Sequence, residues 1–147
     1  MNSYADALES QAEQRALLIG RLRSFTTILN RMFAGKEVLV NAETGFEVFT
    51  DAGYVLSEDQ LSSGEYHLMF LLVASLTARH RGTVIAIDEP ELSMHISWQR
   101  QLVRALLECA ANSQPQLLLA THSPDIAAEF QDAMIELPTR QVASQNT

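Results

Sequence analysis

Asp88 and Glu89 stand side by side before Pro90, at the end of the apolar run Val84–Ile87. A short run rich in β-branched residues reads as a strand buried on both faces, the kind found inside a parallel sheet. Pro90 stops that strand. Open α/β sheets bind ligands beyond the carboxyl ends of their strands, so this strand delivers two carboxylates to a ligand-binding edge. One can hold a metal ion through water, and the next can act as a base. An ordinary solvated turn carries the same residue types, and the pair alone does not separate the two readings.

Two further stretches weigh on that choice. Leu61-Ser62-Ser63-Gly64-Glu65 precedes a long apolar segment. Ser62 or Ser63 can cap a helix running to about His80, and Ser62 with Glu65 has the spacing of a capping box. The free amides of a helix N-terminus reached through a small, glycine-bearing approach are also suited to an anion. The second stretch, Gln116–Pro124, is an apolar strand closed by Thr121-His122-Ser123-Pro124. Ser123 can cap the following helix with Pro124 at its first position, which leaves His122 at the strand end.

Taken in order, LSSGE, the strand ending in Asp88-Glu89-Pro90-Glu91 and the strand ending in THSP resemble the C-terminal half of an ABC-type ATPase. More narrowly, they resemble the soluble branch with SMC-like, RecF-like and OLD ATPases and the AAA-type ATP-binding proteins of prokaryotic defence and repair systems. The resemblance spans roughly residues 30–137. It implies ATP and Mg²⁺ as ligands, with Asp88 positioning Mg²⁺ through water and Glu89 polarising the attacking water. It makes His122 the switch histidine that bonds the γ-phosphate and that water. It makes Ser62, Ser63, Gly64 and Glu65 the signature, with Ser63 and the Gly64 amide reaching the γ-phosphate of ATP held by an opposing protomer. Glu91–His95 resembles the D-loop, which gives Ser93 and His95 nucleotide-side roles, although Ile96 stands where many relatives carry proline. The implied assembly is a homodimer, or a pairing with a complementary P-loop-bearing chain. Two sandwiched nucleotides would join the subunits, and a nuclease or toxin would be the effector.

The departure from the family is the P-loop, whose pattern is G-x-x-x-x-G-K-[ST]. Gly35-Lys36 fails it, because Asn30 replaces the first glycine and Glu37 the hydroxyl residue. Neither a P-loop nor the family's glutamine-bearing loop is recognisable elsewhere. Either the chain is a truncated product, another chain supplies that lobe, or catalysis has been lost. ATP hydrolysis is therefore expected only where a missing segment or a partner brings a P-loop. The alternative is a catalytically incomplete fragment that serves as a protein-interaction module.

Composition narrows the rest. At 147 residues the chain fits one domain, long enough to bury about 70% of its unfolded surface. A net charge of −8 disfavours direct DNA binding by this half. Arg79-His80-Arg81 reads as a cationic helix end, not a nucleic-acid patch. The single cysteine, Cys109, excludes an internal disulfide and sits at a helical core position. The polar, acidic start lacks an apolar signal core and no apolar run reaches membrane-spanning length, which makes the cytoplasm the default location.

These groups need a scaffold. The helix-forming composition of residues 4–33 predicts a helix whose face is Leu17, Leu18, Leu22, Phe25, Leu29 and Met32. Three strand-like runs between Lys36 and Leu56, separated by Glu43-Thr44-Gly45 and Asp51-Ala52-Gly53, predict a β-meander. The segment Leu68–Leu76 is apolar nearly all round and is expected to be a buried helix. Trp98, Leu102, Val103, Leu106 and Ala110 line one helix face, with Trp98 as a core anchor. Asn112–Pro115 reads as a loop and Ala133–Leu137 as a last strand. The expected architecture is α/β: a mainly parallel, helix-flanked sheet of the P-loop NTPase type with strands at 83–88 and 116–121, a small β-meander and an N-terminal helix. Its expected parts are a helical segment 1–33, an ATPase lobe 34–137 and a disordered tail 138–147.

Overall fold

The computed structural model describes residues 3–78, 80–110 and 113–136. The expected tail 138–147 and parts of the expected loop and last strand, Asn112 and Leu137, lie outside them.

Helix α1 (Ser3–Met32) is 30 residues long. Only its second half packs: Phe25, Ile28, Leu29 and Met32 are buried, as is Phe33 just beyond it. Leu17 and Leu18 belong to the expected apolar face, yet they are 56% and 51% exposed. The neighbouring elements meet the helix only from about Arg21 onward. The Arg21 guanidinium donates to the carbonyls of Leu76 and Ala78, so the packed half starts where it caps the end of the next helix.

The meander is present. Strands β1 (Lys36–Asn41), β2 (Gly45–Thr50) and β3 (Val55–Leu56) pair antiparallel in the order β1-β2-β3. The β1–β2 turn ends on Gly45 at φ 87°, a left-handed backbone that favours glycine. Val38 and Val48 point into the core, and Phe46 packs against Phe25 of α1 at 4.7 Å between ring centroids. Asn30 docks β1 onto α1. Its Oδ1 accepts from the Val38 amide at 2.6 Å, and its Nδ2 donates to the Val38 carbonyl at 3.2 Å.

Helix α2 (Ser63–Thr77) buries Leu68, Leu71, Leu72 and Ser75. The all-round burial expected of Leu68–Leu76 does not hold: Phe70 is 63% exposed, because no described element covers that side. Helix α3 (Ile96–Cys109) buries Leu102, Val103, Ala105, Leu106 and Cys109. Trp98 is half-buried and stacks on Phe33 at 5.8 Å.

Strands β4 (Val84–Asp88) and β5 (Gln116–Ala120) pair in parallel, Val84 with Gln116 through Asp88 with Ala120. Helix α3 is the crossover that a parallel pair requires. Among the described residues parallel pairing is confined to these two strands, and the larger sheet is antiparallel because its tight turns can join only antiparallel neighbours. The expectation of a mainly parallel sheet is corrected to that extent. Burial on both faces is corrected too. Ile87, Leu117 and Leu119 pack on the core. Alternation puts Val84, Ala86, Asp88 and Leu118 on the other face, where Val84 is 57% and Leu118 56% exposed. Helix α4 (Pro124–Glu129) follows β5 and buries Ile126. Residues 131–133 form a short 3₁₀ turn and Met134–Glu136 pair with no strand, so the expected last strand is absent among the described residues.

Candidate active site

The parallel pair ends in a shared edge. The Glu89 amide donates to the Ala120 carbonyl at 2.8 Å, which carries the pairing one residue past β4. Glu89 itself has φ 48°, a left-handed conformation uncommon for a non-glycine residue. That kink, with the buried Pro90 behind it, turns the chain off the sheet and leaves the Glu89 carboxylate half exposed. His122 leaves the end of β5, and its Nε2 lies 4.0 Å from Glu89 Oε1. Asp88 ends β4 on the uncovered face. The structure thus brings Asp88, Glu89 and His122 to the same edge of the parallel pair, although the chain separates the first two from the third.

The loop after Glu89 is held by groups that sequence reasoning did not single out. Glu91 Oε1 accepts the His122 amide at 2.8 Å. Burial works against the ionised form of Glu91. The polar groups around it, the hydrogen-bonded His122 amide among them, outweigh that and hold the carboxyl below its ordinary range. Gln99 bridges the same two loops: its Nε2 donates to the Met94 carbonyl at 3.0 Å, and its Oε1 accepts the Ser123 hydroxyl at 2.7 Å. Ser123 caps α4 as expected, accepting from the Ile126 amide at 3.3 Å.

Ser62 is the N-cap of α2, and the capping box is formed. The Ser62 hydroxyl accepts the Glu65 amide at 3.3 Å, and Glu65 Oε2 accepts the Ser62 amide at 2.8 Å. The buried Glu65 also pairs with Lys36, whose Nζ is 2.6 Å from Oε2 and 2.7 Å from Oε1. The lysine beside Gly35 therefore serves this carboxylate. Ser63 is exposed at the first helical position. Gly64 lies flat against Ser93, where a Cβ would run into the Ser93 carbonyl oxygen. Ser93 accommodates this contact with φ 62°. His95 caps α3: its side chain accepts the Ser97 amide at 3.3 Å, and its Nδ1 is 2.8 Å from Ser97 Oγ. The start of α2 thus meets the loop that follows Glu89 through the Gly64–Ser93 contact.

Among the described residues no three His, Cys, Asp or Glu side chains cluster to hold a metal ion. Asp88 alone fits Mg²⁺, which keeps several waters and takes one or two carboxylates plus substrate phosphates. Nothing in the sequence marks Glu91 apart from its neighbours, and Gln99 lies off the apolar face of its helix. Their partners become visible once β4 and β5 are laid side by side.

A family model described as "AAA domain, putative AbiEii toxin, Type IV TA system" matches residues 5–128. No curated protein sequence matches the chain. The fold is similar to a structure described as the SmcHead bound to the C-winged helix domain of ScpA. The TM-score is 0.55 at 16% identity, over 78% of this chain and 38% of that one. It is also similar to a structure from work on ATP-driven dimerization and DNA-stimulated activation of SMC ATPases. There the TM-score is 0.54 at 17% identity, over 77% of this chain and 73% of that one. The chain therefore spans well under half the length of the first of these.

Proposed function

The chain belongs to the family of AAA domains described by that model, and from that premise we propose that it is the C-terminal lobe of an ATP-binding, ATP-hydrolysing site that acts as a nucleotide-dependent dimerisation switch. The observation that carries the reading is Glu89 facing His122 at 4.0 Å across the ends of two parallel strands, with Asp88 beside them.

In this reading Glu89 takes the proton of the attacking water, and His122 aligns that water and donates to the γ-phosphate. Such a transfer depends mostly on positioning and electrostatics, which fixed side chains on strand ends supply. Asp88 would hold Mg²⁺, which neutralises phosphate charge when bound. Ser62, Ser63, Gly64 and Glu65 present a helix N-terminus to nucleotide on an opposing subunit. Ser93 and His95 belong to the same surface through the Ser93–Gly64 contact. A P-loop-bearing chain or segment completes the site. The bare apolar face of β4 and β5 supports this, since a two-stranded sheet is marginal alone. The family description, "putative AbiEii toxin, Type IV TA system", favours a defence role over repair, with a nuclease or toxin as effector.

The second reading, an interaction module without turnover, rests on the missing P-loop. Mg-ATP binding and hydrolysis by this chain decide between them, measured alone and with a P-loop-bearing lobe, beside Glu89→Gln. Turnover restored by the lobe and lost in Glu89→Gln is the expected result. Failure of every arrangement to hydrolyse ATP leaves the interaction module.

A further inference from the structure

Glu91 is the one carboxylate near the strand ends that the mechanism above does not use. It is half-buried, whereas Asp88 and Glu89 are exposed. Its Oε1 takes the amide of His122 at 2.8 Å. That hydrogen bond is charge-assisted and joins the loop after β4 to the loop after β5. Gln99 makes the second tie between those loops, through Met94 and Ser123. The two ties meet the second loop at His122 and Ser123, yet the His122 side chain has no packing of its own and is 89% exposed. For an imidazole that free, the backbone is what fixes the point from which the ring reaches toward Glu89.

We propose that Glu91 is a positioning residue, which clamps the His122 backbone so that the imidazole stands over Glu89. The proposal rests on the reading of Glu89 and His122 as the hydrolytic pair. Reach is the requirement. The loop after Pro90 places Glu91 so that its full side-chain length meets the amide, and a shorter carboxylate falls short by about the length of one C–C bond. Charge is secondary, since an amide oxygen at the same place also accepts the N–H.

The test uses the full chain and has two parts. Amide exchange of His122, read by NMR as a protection factor, is compared in wild type, Glu91→Asp and Glu91→Gln. Glu91→Asp keeps the charge but loses the reach, and it is expected to lower protection about tenfold or more, the worth of a charge-assisted bond. Glu91→Gln is expected to stay within about threefold of wild type. Unchanged protection in Glu91→Asp, or equal loss in both variants, overturns the clamp. In the complex with a P-loop-bearing lobe, Glu91→Asp is expected to lower kcat with KM unchanged, and Glu91→Gln to retain most of it. A matching fall in both variants, or a KM effect alone, overturns the positioning role. The exchange readout needs no ATP, so it decides the clamp even where the hydrolytic reading fails.

Discussion

His122 Nε2 stands 4.0 Å from Glu89 Oε1, each at the end of its own strand, and the register of β4 on β5 sets that distance. In the proposed mechanism both groups act on one water, so their contributions should not be independent. In the complex with a P-loop-bearing lobe, Glu89→Gln is expected to lower ATP turnover about 10²–10⁴-fold, the range for loss of a general base. Adding His122→Ala should then cost far less than His122→Ala costs alone, because residues that act as a unit are non-additive. Steady-state kinetics of the two single variants and the double variant check this. Additive losses would separate the two side chains mechanistically.

Two glycines on helices make opposite predictions. Gly64 abuts the Ser93 carbonyl, and backbone cannot yield as a side chain can. Gly64→Ala is expected to destabilise the fold by about 1–3 kcal/mol, the cost of overpacking. Gly20, in the exposed part of α1, has nothing within 4 Å of an added Cβ. Gly20→Ala is expected to stabilise by about 0.5–1 kcal/mol, the helical advantage of alanine over glycine. Urea denaturation of both variants measures the two signs together.

Those two glycines also mark what was legible in the sequence. Local chemistry was readable: the Ser62–Glu65 capping box, the Ser123 cap with Pro124, the meander with Gly45 at its turn, and the strand ends carrying Asp88, Glu89 and His122. Each depends on residues a few positions apart. The misreadings came from apolar patterns that no described element covers. Leu17, Phe70 and Leu118 look like core by type and spacing but are exposed. The unread contacts are pairings of ordinary residues across different elements, Lys36 with Glu65, Asn30 with Val38 and Glu91 with His122. No local pattern announces those.

The Lys36–Glu65 pair gives acid sensitivity a defined direction. Burial raises the Glu65 carboxyl, but hydrogen bonds from Lys36 and Ser62 and the lysine charge outweigh it, so the net shift is downward. A carboxylate depressed in the folded state contributes stability that is full above its ordinary value of 4.5 and is lost as pH falls through the folded value. Unfolding free energy of wild type and Glu65→Gln should therefore differ most near neutrality and converge on acidification. Lys36→Met leaves the carboxylate buried without its cation, so the downward shift shrinks or reverses and less stability should be lost on acidification than in wild type. Urea titrations across the acidic range measure this. A wild-type curve parallel to that of Glu65→Gln would remove the pair from the acid response.

The uncovered face of β4 and β5 allows folding and assembly to be separated. Leu118 is 56% exposed there, so Leu118→Lys exchanges one solvated side chain for another within this chain. Its effect on unfolding is expected to stay within about 0.5 kcal/mol, as for surface changes generally. Assembly is different. If a P-loop-bearing lobe lies on this face, the same lysine is buried in an apolar interface, where an unpaired ammonium is costly. Association measured by sedimentation velocity is then expected to fall at least tenfold, and Val84→Lys on the same face should behave alike. Arg104→Ala is the matched control, because Arg104 pairs with Glu129 between α3 and α4, away from that face. Association lost only in the two sheet variants would mean that the apolar composition of both strands, unexplained by the core of this chain, is explained by a second layer. Association equal in all three would leave the sheet face bare in the assembled protein and direct the search for the lobe to the exposed Tyr66–Phe70 side of α2.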